Sequence, residues 1–118
     1  YAIKNSLGNE IFIPKIPSYR IMDLAKSIGE KCKIKILGVR PGEKIHEEMI
    51  TVNDSFNTIE NSKYYIILPS LKKAIVNKYL KYYGAKKINE VFSYNSKDNK
   101  KFLSIKELKK LIKKNIYL

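Results

Sequence analysis

The apolar runs of this sequence are short, and Lys, Asn, Gly or Pro interrupts each of them within a few residues. None approaches the roughly 20 apolar residues that a bilayer-spanning helix needs, so no membrane partner is expected. The run EIFIP (10–14) ends at Pro14, and the run at 64–68 is followed by Pro69. Each run therefore predicts a short strand. The chain is expected to be a mixed α/β fold with short strands and three or four helices.

Apolar residues at helical spacing predict the helices. One stripe, at i, i+3, i+4 and i+7, consists of Ile21, Leu24, Ala25 and Ile28. Ser18 is predicted to cap this helix and Gly29 to end it. A second, weaker stripe before Gly84 consists of Leu71, Ile75, Tyr79 and Tyr82.

The last helix has the clearest start. Ser104 and Glu107 have the spacing of a capping box, in which each side chain accepts a hydrogen bond from a main-chain amide of the first turn. Leu103 and Leu108 stand at the two positions of a hydrophobic staple. The segments that remain predict strands at 33–39 and 57–60, and a helix that begins within IHEEMI (45–50).

Composition and charge narrow the classes of partner. The 118 residues correspond to one domain or a piece of one. The net charge of +13 is concentrated in residues 61–118, which hold 15 basic and 3 acidic residues. A basic half-chain is typical of nucleic-acid binding. The same composition overuses Lys, Asn, Ile and Tyr, which AT-rich codons explain, so no nucleic-acid partner is predicted.

The first residues bear on whether the chain is complete, and the single cysteine bears on its cellular location. The first residues lack a Met and the basic-then-apolar layout of a signal peptide, so the chain is expected to be a fragment of a longer protein. Cys32 is the only cysteine, so no internal disulfide is expected and the cytoplasm is the predicted location. Cys32 itself is interpreted as a half-buried bystander rather than a reactive thiol.

The usual catalytic patterns are missing. No glycine-rich dinucleotide or phosphate loop is present. The single histidine, His46, cannot build a His-based metal site, and nothing in the spacing singles out a dyad with Cys32. Tyr82 and Tyr83 each have a Lys four residues later, but Gly84 would interrupt the helix that such a pair needs. We therefore predict no catalytic, cofactor-binding or metal-binding residue in this chain.

The stretch GVRPGEK (38–44) is the best candidate for binding. Of 24 basic residues only Arg20 and Arg40 are arginines, and a guanidinium grips a phosphate through two parallel hydrogen bonds. Gly42 lets the main chain approach a ligand, and amides at the start of a following helix would suit an anion. Glu43 is placed to accept hydrogen bonds from hydroxyl groups. The alternative is an ion pair from Arg40 to Glu43 or Glu47, and chemistry alone leaves both open.

The acidic residues after the turn have two interpretations of their own. Glu43 and Glu47 are four residues apart, so on a helix they would lie on one face as a carboxylate pair. The favoured interpretation is that they complement the dipole of the predicted helix.

Four stretches together resemble a known family. In order, they are IFIPKIPSYRIMDLAKSI, KIKILGVRPGEKIHEEMI, YYIILPS and FSYNSKDNKKFLSIKELKKLI. The chain resembles the C-terminal portion of bacterial UDP-N-acetylglucosamine 4,6-dehydratases of the inverting type, within the extended short-chain dehydrogenase/reductase superfamily. The similarity covers nearly all of residues 1–118 and is weakest over 71–90. It implies a small C-terminal substrate-binding domain, with the Rossmann core outside this chain.

The resemblance also implies roles. The intact enzyme would be an NADP-dependent lyase that forms a homo-oligomer and acts on a UDP-sugar for surface glycan or flagellin glycosylation. Its cofactor and catalytic residues would lie in an N-terminal Rossmann domain, so this chain alone is expected to be inactive. Arg40 would bind the diphosphate and Glu43 the ribose hydroxyls, and the PKIPS residues Pro14, Lys15 and Pro17 would lie near the substrate cleft. For Lys15, a solvated lysine between two prolines is the alternative. The rival functions are a related capsule-pathway UDP-sugar dehydratase or epimerase, and a non-enzymatic basic binding module.

Overall fold

The computed structural model describes residues 1–116. These contain five helices and six strands, in the order α1 (Ala2–Asn5), β1 (Ile11–Pro14), α2 (Ile21–Ile28), β2 (Glu48–Ile50), α3 (Val52–Ser55), β3 (Thr58–Glu60), β4 (Tyr64–Ile67), α4 (Lys73–Tyr83), β5 (Lys86–Lys87), β6 (Tyr94–Asn95) and α5 (Ile105–Asn115). The mixed α/β class is as predicted. Two of the helices, α1 and α3, are single turns of four residues, which accounts for the excess over the predicted three or four.

The chain divides into two compact units. The sheet unit comprises residues 1–15 and 48–95, and the helical unit comprises residues 16–47 and 96–118. Among the described residues, no helix is both long enough and apolar enough to span a membrane.

The sheet unit contains an antiparallel four-stranded sheet in the order β1-β4-β3-β5 and a two-stranded pair of β2 with β6. The predicted strands at 10–14, 57–60 and 64–68 are all present. Ile59 and Ile66 are opposite each other on β3 and β4, and both are almost fully buried. They pack with residues of α4, so the sheet is covered by a helix on this face.

Helix α4 follows the predicted stripe only in part. Its buried residues are Val76, Tyr79 and Tyr83. Tyr82, which the stripe included, is 55% exposed, because the helix turns a neighbouring face towards the sheet. Gly84 ends the helix as predicted, with a left-handed φ of 54° that glycine adopts without steric penalty.

The helical unit is built from α2 and α5, which pack against each other. The capping box of Ser104 and Glu107 is present at the start of α5, and Leu108 is buried. In α2, Leu24 and Ala25 are half-buried, whereas Ile21 and Ile28 at the ends of the predicted stripe are exposed.

The predicted cap of α2 is wrong. The N-cap residue is Arg20, without a side-chain cap. Ser18 is instead held by the segment before α5: its amide donates to the carbonyl of Lys101 at 2.9 Å, and its carbonyl accepts from Leu103 at 2.8 Å. Its hydroxyl oxygen accepts from the Asn99 side chain at 3.0 Å. The prediction was wrong because the hydroxyl and the main-chain groups of Ser18 form hydrogen bonds with residues 99–103.

Two further elements differ from prediction. Residues 33–39 pair with no other strand of the described chain, although their apolar residues alternate with lysines. An extended run gains main-chain hydrogen bonds only from a partner strand, and here Ile36 and Leu37 are 80% and 72% exposed. The predicted helix in IHEEMI is also wrong. Residues 48–50 form β2 because they pair with β6, which places Ile50 in a fully buried position.

Candidate functional site

The segment Arg40–Glu43 forms a tight turn in the helical unit, as predicted. The amide of Glu43 donates to the carbonyl of Arg40 at 3.1 Å. Pro41 occupies the second position, and Gly42 occupies the third with φ of 85°, the combination typical of a type II turn. A Cβ added at Gly42 would meet no atom within 4 Å, so the glycine is required by its backbone conformation and not by lack of space.

The side chain of Glu43 folds back onto the start of the same turn. Its Oε2 accepts a hydrogen bond from the main-chain amide of Arg40 at 3.0 Å. Its Oε1 lies 3.8 Å from Nε of Arg40, so the ion pair considered as an alternative to anion binding is present. The side chains are 75% and 52% exposed, respectively. Such exposed pairs contribute about 0–1 kcal/mol, so this ion pair is too weak to prevent the guanidinium from binding another anion.

No helix follows the turn, which corrects two expectations. The amides of a helix N-terminus are not available to an anion here, because residues 45–47 are irregular and β2 begins at Glu48. Glu43 and Glu47 likewise do not share a helix face and do not complement a helix dipole. The main chain of Glu47 is instead tied to Ser96, whose amide donates to the Glu47 carbonyl at 2.8 Å and whose hydroxyl accepts from the Glu47 amide at 3.0 Å.

Lys15 lies in the sheet unit and is not a solvated lysine. Its ammonium group lies 2.6 Å from Oε2 of Glu60 and 2.7 Å from the carbonyl oxygen of Asn61. It also lies 4.6 Å from the centre of the Tyr65 ring. The hydrogen bond from Lys15 is the main reason that the pKa of Glu60 is lowered. Lys15 therefore has an ion-pair partner within its own unit, on a strand 45 residues away in sequence.

The remaining candidates are placed as follows. Pro14 is the last residue of β1, paired with Tyr64, and is exposed. Pro17 belongs to the helical unit and is half-buried. Of the five predicted binding residues, Arg40 and Glu43 form an ion pair with each other.

The structure also shows the surroundings of the other residues that the sequence analysis considered for chemistry. Because α4 ends at Tyr83 and Gly84 is left-handed, Lys86 and Lys87 lie on β5 and do not follow Tyr82 and Tyr83 on a helix. Cys32 is exposed, which corrects the expectation that it is half-buried. Among residues 1–116, no group of three His, Cys, Asp or Glu side chains is arranged to hold a metal ion.

A buried carboxylate is the feature that the sequence interpretation missed. Glu10 is 9% exposed and accepts hydrogen bonds from the Leu7 amide at 2.6 Å and from the Tyr83 hydroxyl. The Tyr79 hydroxyl lies 3.4 Å from its other oxygen. Burial would raise the pKa of Glu10, but the hydrogen bonds from Tyr83 and Leu7 outweigh it and lower this pKa from 4.5 to about 2. No local pattern connects Glu10 with the two tyrosines, which are 69 and 73 residues away in sequence.

Comparison with known proteins places these features in context. A family model described as "Polysaccharide biosynthesis protein" matches residues 1–69. The chain is 45% identical over 111 residues to a UDP-N-acetylglucosamine 4,6-dehydratase (inverting) of Campylobacter jejuni, covering 89% of this chain and 33% of that protein. It is 33% identical over 118 residues to a UDP-glucose 4-epimerase of Rickettsia akari, covering 95% and 33%.

The fold has a solved counterpart. The crystal structure of Pen from Bacillus thuringiensis superimposes with a TM-score of 0.76 at 31% sequence identity, covering 96% of this chain and 33% of that one. The chain thus spans about a third of the length of the curated relatives and of the solved structure that it matches.

Proposed function

Since the chain belongs to the polysaccharide biosynthesis protein family, we propose that it is the substrate-binding part of an inverting UDP-N-acetylglucosamine 4,6-dehydratase. The full-length protein would make a UDP-4-keto-6-deoxy sugar for surface glycans or flagellin. The observation that carries this proposal is the 45% identity over 111 residues to the Campylobacter jejuni dehydratase. The full-length protein would be a lyase that works in the cytoplasm as a homo-oligomer.

The chemistry would be divided between two parts of that protein. This chain has no glycine-rich loop for a dinucleotide, so we assign NADP and the catalytic residues to an N-terminal Rossmann domain. Oxidised NADP would accept a hydride from C4 of the sugar, and the reduced cofactor would return it to C6. The chain by itself would hold part of the substrate and would be inactive.

Within the chain, Arg40 is the proposed contact for the diphosphate. Its guanidinium is exposed, and its one ion-pair partner among residues 1–116 is the weakly held Glu43. A phosphate can therefore accept two parallel hydrogen bonds from the Arg40 guanidinium without first breaking a strong ion pair. Glu43 is the proposed contact for the ribose hydroxyls. Pro14, Lys15 and Pro17 remain proposed as residues near the substrate cleft, with Lys15 restrained by Glu60.

The activity is tested with the full-length protein, UDP-N-acetylglucosamine and NADP. We expect a product lighter than the substrate by one water, with a carbonyl at C4 and inversion at C5. The matches to UDP-glucose 4-epimerases favour a second candidate, a related UDP-sugar epimerase. An epimerase would give a product with the mass of its substrate, so mass spectrometry of the products separates the two functions.

The binding role of Arg40 has a matched control in this sequence. The other arginine, Arg20, lies over the Phe102 ring at 5.3 Å. We expect Arg40→Lys in the full-length protein to weaken UDP-sugar binding about tenfold, because lysine cannot make two parallel hydrogen bonds to a phosphate. Arg20→Lys should leave the Kd nearly unchanged. Equal effects of the two substitutions in isothermal titration calorimetry would rule out the diphosphate role.

A further inference from the structure

We infer that Glu43 is a positioning residue, which acts on the diphosphate through Arg40 by closing the turn and holding the guanidinium. This inference rests on the proposed function, in which Arg40 binds the diphosphate. It gives Glu43 a role that does not depend on contact with the ribose.

The first support is the main-chain contact. Oε2 of Glu43 accepts from the amide of Arg40 at 3.0 Å, while the amide of Glu43 donates to the carbonyl of Arg40 at 3.1 Å. The residue therefore joins the two ends of the turn through both its side chain and its main chain. A hydrogen bond from an amide to a carboxylate is stronger than one between neutral groups, so it favours the closed turn.

The second support is the contact with the guanidinium. Oε1 of Glu43 lies 3.8 Å from Nε of Arg40, the guanidinium nitrogen nearest the main chain. Because Nε carries one of the five N–H donors, this arrangement leaves the terminal groups to a ligand. The carboxylate thus approaches the guanidinium at Nε, the nitrogen next to the side-chain stem.

The third support is the lack of other restraint. The Arg40 side chain is 75% exposed, and Glu43 is its one salt-bridge partner among the described residues. A free arginine side chain carries about 2 kcal/mol of rotamer entropy, part of which is lost when it binds a ligand. A neighbour that limits its conformations beforehand reduces that loss and so strengthens binding.

The test compares UDP with 2′,3′-dideoxy-UDP, which lacks the ribose hydroxyls but keeps the diphosphate. Calorimetry on the full-length protein at fixed salt gives the two Kd values for each variant. We expect Glu43→Ala to raise the Kd for the dideoxy analogue about three- to tenfold, the equivalent of one hydrogen bond, and the Kd for UDP by at least that factor, because the proposed ribose contact adds to the loss. Glu43→Gln keeps an acceptor for the Arg40 amide, so its loss should be smaller. Glu47→Ala, which removes a nearby exposed carboxylate, should change neither value.

A second arm separates positioning from general damage to the fold. If Glu43 acts on the diphosphate through Arg40, then Glu43→Ala should have no further effect on the Kd for the dideoxy analogue once Arg40 is replaced by Ala. An additive loss in the double variant would contradict the inference.

The outcomes distinguish the two levels of the proposal. A loss on Glu43→Ala that appears with UDP and disappears with the dideoxy analogue would show a direct ribose contact and overturn the positioning role, while the proposed function stands. Failure of UDP to bind, or binding that Arg40→Ala leaves unchanged, would overturn the proposed site itself.

Discussion

The Glu10 cluster makes the chain sensitive to acid in a defined way. Glu10 is buried with its carboxylate against the Tyr83 hydroxyl and the Leu7 amide, and its pKa falls from 4.5 to about 2. Its folded pKa therefore lies below its unfolded pKa. The stabilisation that it contributes is fully present above pH 4.5 and is lost as the pH falls towards 2.

The size of the effect follows from these two values. The difference between 4.5 and about 2 corresponds to roughly 3 kcal/mol of folding free energy. With these two pKa values, about 2 kcal/mol of the stabilisation is lost between pH 7 and pH 3. Glu60 and Glu107 also have lowered pKa values and lose stabilisation in acid. The contribution of Glu10 must therefore be measured as the difference between the unmodified chain and Glu10→Gln.

Urea unfolding of the 118-residue chain at pH 7 and pH 3 measures this difference. We expect the free-energy gap between the unmodified chain and Glu10→Gln to shrink by about 2 kcal/mol at pH 3. Tyr83→Phe removes a donor to the buried carboxylate and should lower stability by about 2 kcal/mol at pH 7. The control is Tyr82→Phe in the same helix, since Tyr82 is 55% exposed. A gap that stays constant with pH, or equal losses from the two tyrosine variants, would refute this explanation.

Substitutions at Ser104, Lys15 and Gly84, each compared with a control variant, test the fold. Ser104→Ala removes the capping box of α5 and should lower the unfolding free energy by about 1 kcal/mol, whereas Ser62→Ala, at an exposed serine, should not. Lys15→Ala should destabilise the chain by about 1 kcal/mol and Lys86→Ala by less, because Lys86 pairs with the same Glu60 while 78% exposed; thermal unfolding compares them. Gly84→Ala should cost about 1 kcal/mol at φ of 54°, and Gly84→Asn should cost less, because Asn tolerates the left-handed region better. Equal unfolding of the two Gly84 variants would contradict the backbone argument.

Structural features that are determined by neighbouring residues in sequence were predictable. The left-handed end of α4 at Gly84 and the capping box at Ser104 each depend on a few consecutive residues. The elements that differed depend on distant partners. Residues 33–39 have the pattern of a strand without a partner among the described residues, whereas residues 48–50 became a strand because β6 pairs with them.

The same distinction holds for the candidate site. The turn at Arg40–Glu43 was predictable because Pro41 and Gly42 define its type locally. The partner of Lys15 was not, because Glu60 is 45 residues away. The Glu10 cluster was missed for the same reason, since Tyr83 is 73 residues away and no periodicity connects a carboxylate with a phenol.

The corrected geometry changes where the affinity for an anion must come from. Without a helix after the turn, no helix dipole adds to the field of Arg40, and the guanidinium stands 75% exposed in water. Solvent screens a charge in that position, so its attraction for a phosphate is weak until water is excluded. Under the proposed function, the remainder of the full-length protein would have to supply that exclusion. The turn that Glu43 closes would then be one contribution of this chain to the binding affinity, in addition to the contact that Arg40 itself makes.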